Sequence, residues 1–399
     1  MKKRIALIVL LCVTLLMSGG CDLWSTLESV AARLEIYHFE SEKYLEQFEN
    51  NWSYRHLSAD MQATYGDLYT AVTDGFETDC IVTTKGDNPV TGEGVEVRLS
   101  HTLSPDEVSQ LFQAFLYDNP QFFYLDRHYG MNGSQIGDKL YYDRMTLLYS
   151  MTAAERKLAK EEIEKVKADI LQKAAGVSDE FERELLLHDW LAAHCTYDYA
   201  EEPPVEAYTA YGALVKGVAV CEGYARAMQW LLLDSGMPNM PAIGTDLNGE
   251  SHMWNVVLVD GMPYHLDVTW NDTKDLPRHN YFNLTTAELL LGRQIDDSNI
   301  GLPDCTATDM NFYRKTDCFL ASSDRQTIAR TVAREVQSGD TAIELQFDEA
   351  SYEAAKKFVT SGNPFFKAVE TAMGGRDMWS FKLYGDDTNR VLTMIKSEE

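Results

Sequence analysis

A chain of 399 residues, 45% hydrophobic and 11% aromatic, carries enough apolar material for two or three cored domains, which excludes an intrinsically disordered protein. Its 62 Asp+Glu against 35 Lys+Arg leave a net charge of −27, a balance that argues against binding a nucleic-acid phosphate backbone. Solubility alone accounts for such acidity.

Lys2-Lys3-Arg4, an apolar run from Ile5 to Met17 and then Ser18-Gly19-Gly20 before Cys21 have the layout of a signal peptide over 1–21. The run is shorter than the ~20 residues that cross a bilayer, and no later stretch approaches that length. The expectation is therefore an exported protein without a membrane-spanning body. Small residues directly ahead of Cys21 resemble a bacterial lipobox, which would make Cys21 the lipidated N-terminus of an outward-facing, membrane-anchored envelope protein. Ser18 stands where Leu is usual, so cleavage to a freely secreted form stays open.

Residues 22–45 read as a tether. The first helix is predicted over 57–72, with Ser58 at its start, Met61, Tyr65, Leu68 and Val72 on one face and Gly75 as the stop. Strands follow near 78–83 and 95–99. Ser104-Pro105-Asp106-Glu107 is a capping box opening a helix with Val108, Leu111, Phe112 and Phe115 inward, ended by Asn119-Pro120. Strands near 122–125, 139–142 and 146–149 complete a mixed region. A second capping box, Thr152 to Glu155, starts a charged helix with Ile163, Val166 and Ile170 inward and its charges solvated. Ser178 starts another, in which Phe181, Leu185, His188 and Leu191 share a face. Beyond 300 the pattern is strand, helix (Ile328, Val332, Val336), strand (Ile343, Leu345, Phe347), helix and two final strands, 379–384 and 391–395.

The chemistry concentrates in 207–285. Gly217-Val218-Ala219-Val220-Cys221-Glu222-Gly223-Tyr224-Ala225 is a turn running into a helix whose apolar face is Ala225, Met228 and Leu232. Cys221 then lies at a helix N-terminus, where unpaired amides stabilise a thiolate and lower the pKa of a cysteine from ~8.5. Gly223 removes a side chain where this helix meets its neighbours. Further on, two strand-like runs, 252–259 and 262–270, flank Asp260-Gly261, a hairpin signal. With those two residues as the loop, paired positions sum to 521, and His252 and Asp267 share a face as diagonal neighbours. A nucleophile, a base and a carboxylate to orient the base are what acyl transfer at an amide requires. The Cys221 amide is a candidate oxyanion donor; a second is not readable. His265 shares that face and could in principle serve as the base, an alternative that the hairpin arithmetic leaves open. His188, His194 and Cys195 form a loose cluster, read as satisfied histidines and not as a metal site. The sequons at Asn51, Asn132, Asn271 and Asn283 are chance matches behind a bacterial-type leader.

Of seven cysteines, Cys12 and Cys21 belong to the leader, leaving Cys80, Cys195, Cys221, Cys305 and Cys318, an odd number with at least one free thiol. Cys305 and Cys318 could close a short disulfide loop or stay as buried thiols. No Cys-x-x-Cys supports structural zinc and no Asp-x-Asp-x-Asp-Gly loop supports calcium, so no cofactor is expected.

The Val-Cys-Glu-Gly-Tyr-Ala run at 220–225, the His-x-Trp-Asn run at 252–255 and the Asp-Val-Thr-Trp run at 267–270 resemble, in that order and spacing, the transglutaminase-like superfamily of papain-like cysteine enzymes. The resemblance spans about 180–290 and includes His188-Asp189-Trp190 and Tyr197-Asp198. It implies an α+β fold, a nucleophile helix packed on an antiparallel sheet, flanked here by N-terminal and C-terminal α/β regions. The expected organisation is a signal peptide at 1–21, an N-terminal region at 22–175, the catalytic domain at 176–300 and a small domain at 301–399. It implies a Cys221-His252-Asp267 triad acting through a thioester, most simply hydrolysing peptide or isopeptide amides of an envelope substrate. The alternatives are protein-glutamine cross-linking and a catalytically silent surface scaffold. Oligomeric state is not readable.

Overall fold

The computed structural model describes residues 51–83, 91–273 and 278–397; the leader, its Cys21 and the tether lie outside the described residues. No helix among the described residues is long and apolar enough to cross a membrane. The described residues divide into two units, those within 51–111 and 128–148, and those within 112–127 and 149–397.

In the first unit, α1 (Ala59–Asp74) begins where the Ser58 hydroxyl accepts the Met61 amide, and it buries Met61, Tyr65, Leu68 and Val72 as its spacing predicts. The Asp67 carboxylate accepts the Ser100 amide at 2.6 Å, tying helix to sheet. The strands are β1 (Ile81–Thr83), β2 (Thr91–Leu103), β3 (Leu125–Ile136) and β4 (Lys139–Tyr149), ordered β1-β2-β4-β3. Three boundaries differ from the sequence reading. β2 is far longer than 95–99, the two strands placed within 139–149 are one, and 122–125 is mostly turn. Between β2 and β3 lies α2 (Pro105–Asp118), whose capping box forms: Ser104 N donates to Glu107 Oε2 at 2.8 Å.

The second unit opens with α3 (Ala153–Ala175), started by the predicted Thr152/Glu155 box. Its charges are not all solvated. Lys167 is buried, donating to Asp234 Oδ2 at 2.7 Å with its ammonium 3.8 Å from the Trp230 ring centroid, and Arg156 is buried over Tyr149. A long side chain on the inward face supplies apolar stem and a paired charge together. Next comes α4 (Glu180–His194), capped by Asp179 one residue later than expected. β5 (Thr196–Tyr197) then pairs in parallel with β6 (Val218–Ala219).

α5 (Cys221–Asp234) is the nucleophile helix of the predicted architecture, buried along Ala225, Met228 and Leu232. It lies against an antiparallel sheet of β7 (Asn239–Asp246), β8 (Ser251–Val259), β9 (Met262–Leu266) and β10 (Arg293–Ile295), ordered β10-β7-β8-β9. Asn255 on β8 donates to Ala225 O at 3.0 Å and joins the two layers. The hairpin register is the one the sequence predicts, Val259 opposite Met262 through Asn255 opposite Leu266. Asp260 and Gly261 both have positive φ, 49° and 77°, as a type I′ turn needs. Pairing stops there, because Asp267 leaves the sheet to cap α6 (Val268–Asn271), its carboxylate accepting the Trp270 amide. The run 267–270 is thus a helical turn and not the end of a strand. A last short helix of this layer, α7 (Thr286–Leu289), carries its own Thr285/Glu288 capping box.

The C-terminal residues build their own layer pair. β11 (Phe319–Leu320), α8 (Arg325–Ser338), β12 (Ala342–Phe347), α9 (Tyr352–Val359), α10 (Asn363–Ala372), β13 (Phe381–Asp386) and β14 (Val391–Lys396) give a sheet ordered β11-β12-β14-β13. Its core includes Ile328, Val332, Ile343, Leu345 and Phe347. Cys305 and Cys318 are both free and buried, so the buried-thiol alternative holds.

Candidate active site

Cys221 is the first residue of α5, half-buried and unpaired with any other cysteine. Gly223 explains how the helix start comes so close to the preceding loop. A Cβ there would lie 2.4 Å from Ala207 O and 2.8 Å from Ala219 Cβ, so no larger residue fits without moving backbone.

His252 sits near the start of β8, opposite Gly244 of β7. Its Nε2 lies 2.7 Å from Asp267 Oδ2. A carboxylate only accepts, so Nε2 carries the proton and Nδ1 is left for Cys221, whose thiol bonds the imidazole. Burial alone would lower the His252 pKa, but Asp267 and then Cys221 outweigh it and raise it to about 9. Asp267 is buried, which by itself would raise its carboxyl; His252 and Arg293 together hold it at about 2. The structure thus brings together the three residues the sequence singles out, with Asp267 reaching His252 from the cap of α6.

His265 is excluded as a base. Its Nδ1 accepts from Trp254 Nε1 at 3.0 Å, its Nε2 faces Thr286 Oγ1 at 3.1 Å, and burial pushes its pKa down to about 4. It supports Trp254, whose indole is stacked on the His252 ring with centroids 6.0 Å apart.

Arg293 has no counterpart in the sequence reading. Fully buried on β10, it donates Nη2 to Asp267 Oδ2 at 2.8 Å, with its guanidinium carbon 3.5 Å from the Trp270 ring centroid. The one available signal was a lone cation following Leu289-Leu290-Leu291-Gly292, since a charge amid apolar residues must find a partner.

The loose grouping of His188 with His194 and Cys195 does not form. His194 bonds Leu214 O, while His188 meets Asp189 and His279 instead. Two histidines and a carboxylate invite a metal, but hydrogen bonding assigns their protons. Asn271 Oδ1 accepts the Tyr281 amide, so Nδ2 donates to His188 Nε2 at 3.0 Å and His188 must carry its proton on Nδ1, toward Asp189 Oδ1 at 2.8 Å. No lone pair of His188 is left facing Asp189. His279 bridges Asp189 (3.0 Å) and the buried Glu344 of β12 (2.9 Å). Burial would lower its pKa, but Glu344 and Asp189 raise it to about 9. The cluster is a proton-held clamp from α4 to the C-terminal sheet. Because the folded pKa lies above the unfolded ~6.5, its stabilisation is whole below pH 6.5 and lost as pH rises through about 9. The stability difference between wild type and His279→Gln in urea unfolding should therefore be about 3 kcal/mol larger at pH 6 than at pH 10. The difference cancels Glu184, whose carboxyl is pushed up to about 8 by burial.

Beside His252 opens a cleft of about 790 Å³, lined by Tyr197, Tyr199, Trp270, Glu250, Asp272 and others, with no Lys or Arg lining it among the described residues. Tyr197 is pushed up to about 12 by burial and then by the charge of Cys221.

Residues 168–268 match the family described as the transglutaminase-like superfamily. Among solved structures, a TGase is similar at 15% identity and a TM-score of 0.27, over 46% of this chain and 53% of that one. A proposed cysteine protease from Cytophaga hutchinsonii is similar at 11% identity and 0.23, over 36% and 63%. The periplasmic domain of TgpA from Pseudomonas aeruginosa is similar at 10% and 0.23, over 49% and 83%. The chain thus spans between half and two thirds of the first two structures. No curated protein matches it. The quarter of the chain from 168 to 268, which holds the helix-borne Cys221 and the sheet-borne His252, matches a transglutaminase-like core.

Proposed function

We propose that this chain is a cell-envelope thiol enzyme that hydrolyses peptide or isopeptide amides through a thioester at Cys221. The observation that carries the reading is His252, held by Asp267 through Nε2 and turned toward the thiol of a helix-start cysteine. The Cys221 sulfur attacks the carbonyl carbon, the developing oxyanion lies near the first amides of α5, and the imidazolium gives its proton to the leaving amine. Water, deprotonated by His252, then opens the thioester, releasing the acid and restoring the thiol. Cys21 would tether the enzyme outward through lipid.

The acidic, aromatic cleft favours a peptide carrying a basic group beside the scissile bond, since cations gain from both carboxylates and ring faces. Incubation of peptide amides that differ only in one Lys or Glu, with and without a fluorescent primary amine, tests this. We expect the Lys peptide to be cleaved at least tenfold faster in kcat/KM, with free acid as the product. Amine adduct as the main product would establish the cross-linking alternative, and inertness of all peptides together with an unreactive thiol would leave the silent scaffold.

A further inference from the structure

We propose that Arg293 is a positioning residue of the thiol site, holding the Asp267 carboxylate against His252 while offsetting part of its charge, so that the imidazole proton remains transferable. The inference rests on the thiol-enzyme reading above and extends it to a residue beyond the matched segment, 25 positions past its end (293 against 268). Asp267 Oδ2 receives two donors at once, His252 Nε2 at 2.7 Å and Arg293 Nη2 at 2.8 Å, and Oδ1 receives the Trp270 amide at 3.2 Å. Each oxygen of the carboxylate is engaged, which fixes its orientation. Arg293 is itself fixed, fully buried, flat against the Trp270 ring and with Tyr281 at 5.1 Å on its flank. A guanidinium keeps its charge there, where an ammonium would lose the ring contact and the planar fork.

The charges in this part of the site are balanced. When Cys221 and His252 form a thiolate–imidazolium pair, Asp267 and Arg293 form a second pair beside it, and these four charges sum to zero. Without Arg293 the total is one negative charge, which the site relieves by holding its proton more tightly. The groups facing His252 and Arg293 from the surrounding elements are Cys221, Asp267, Asp246 across β7, Tyr281 and, from the cleft, Glu250 and Asp272. All of these persist when Arg293 alone is changed.

The test is the His252 titration in the full-length protein, read by NMR after histidine-selective labelling, its signal assigned as the one missing from His252→Gln. In Arg293→Met the midpoint should rise by about one unit, a tenfold gain in proton affinity, with kcat at pH 7 reduced and KM unchanged. Arg293→Lys keeps the charge, so its midpoint should stay near wild type although the ring contact and the fork are lost. If the Met variant does not fold, Arg293→Gln, which keeps a donor but no charge, should show the same rise. A midpoint that stays at the wild-type value in either neutral variant overturns the proposal, because loss of packing alone would lower stability without moving it. The thiol-enzyme reading fails separately, if Cys221 reacts indifferently to His252, and the His252 titration still decides the role of Arg293.

Discussion

Asp267→Asn should lower the rate of acyl-enzyme formation roughly 10³- to 10⁴-fold, while Cys221 stays in place. The carboxylate meets three donors, from His252, Arg293 and the Trp270 amide. An asparagine offers one oxygen and one NH₂ group. If the oxygen faces His252 and Arg293, the NH₂ meets the Trp270 N–H; if it faces Trp270, the NH₂ meets two donors. Either orientation leaves a buried polar clash worth about 1–3 kcal/mol, and the second also forces His252 to shed its Nε2 proton, leaving the wrong ring nitrogen facing the thiol. Single-turnover acylation by the Lys peptide, with thermal unfolding as the control for folding, checks this. A rate within tenfold of wild type would remove Asp267 from the mechanism.

The second large effect is structural. Gly223→Ala should cost about 3 kcal/mol and lower the unfolding midpoint by roughly 6–12 °C for a unit of this size. The added Cβ meets Ala207 O, Ala219 Cβ and, at 3.1 Å, Thr209 O, two of them backbone atoms that cannot rotate away. Relief requires the first turn of α5 to lift off its neighbours, which carries Cys221 away from His252, so reactivity falls with stability. Gly176→Ala is the control. Its Cβ would meet only Lys173 O at 3.4 Å and its φ is −80°, so the unfolding midpoint should barely move.

The legible parts of this molecule are those written in local chemistry. Ser58, Ser104 and Thr152 start helices because a hydroxyl and the amides it caps lie within one turn. Asp260-Gly261 sets the β8–β9 register because only a two-residue loop of positive φ closes it, and that register brought His252 and Asp267 within reach. The same argument overran its range at Leu266, since nothing in the alternation of 262–270 announces that Asp267 turns to cap a helix. Nothing in the sequence marks strand β7, which pairs along His252, because Pro241 and Gly244 interrupt its pattern. Partners distant in sequence leave no local trace of their identity. Arg293 reaches Asp267 across 26 positions and His279 reaches Glu344 across 65, and only the packing of sheet on helix joins them. Charge spacing cannot tell a surface ion pair from an ammonium buried over Trp230, so the burial of Lys167 is invisible in the sequence.

The central claim is that Cys221 and His252 act as one unit. The most direct measurement is the iodoacetamide alkylation rate of Cys221 at pH 6, followed by mass spectrometry at that residue so that Cys80 and the buried thiols do not contribute, in wild type and in His252→Ala. His252→Ala leaves Asp267 paired with Arg293, so the variant should fold. We predict alkylation at least tenfold faster in wild type, because His252 takes the thiol proton as the sulfur attacks. Equal rates in the two proteins would contradict the coupled site and the enzyme built on it.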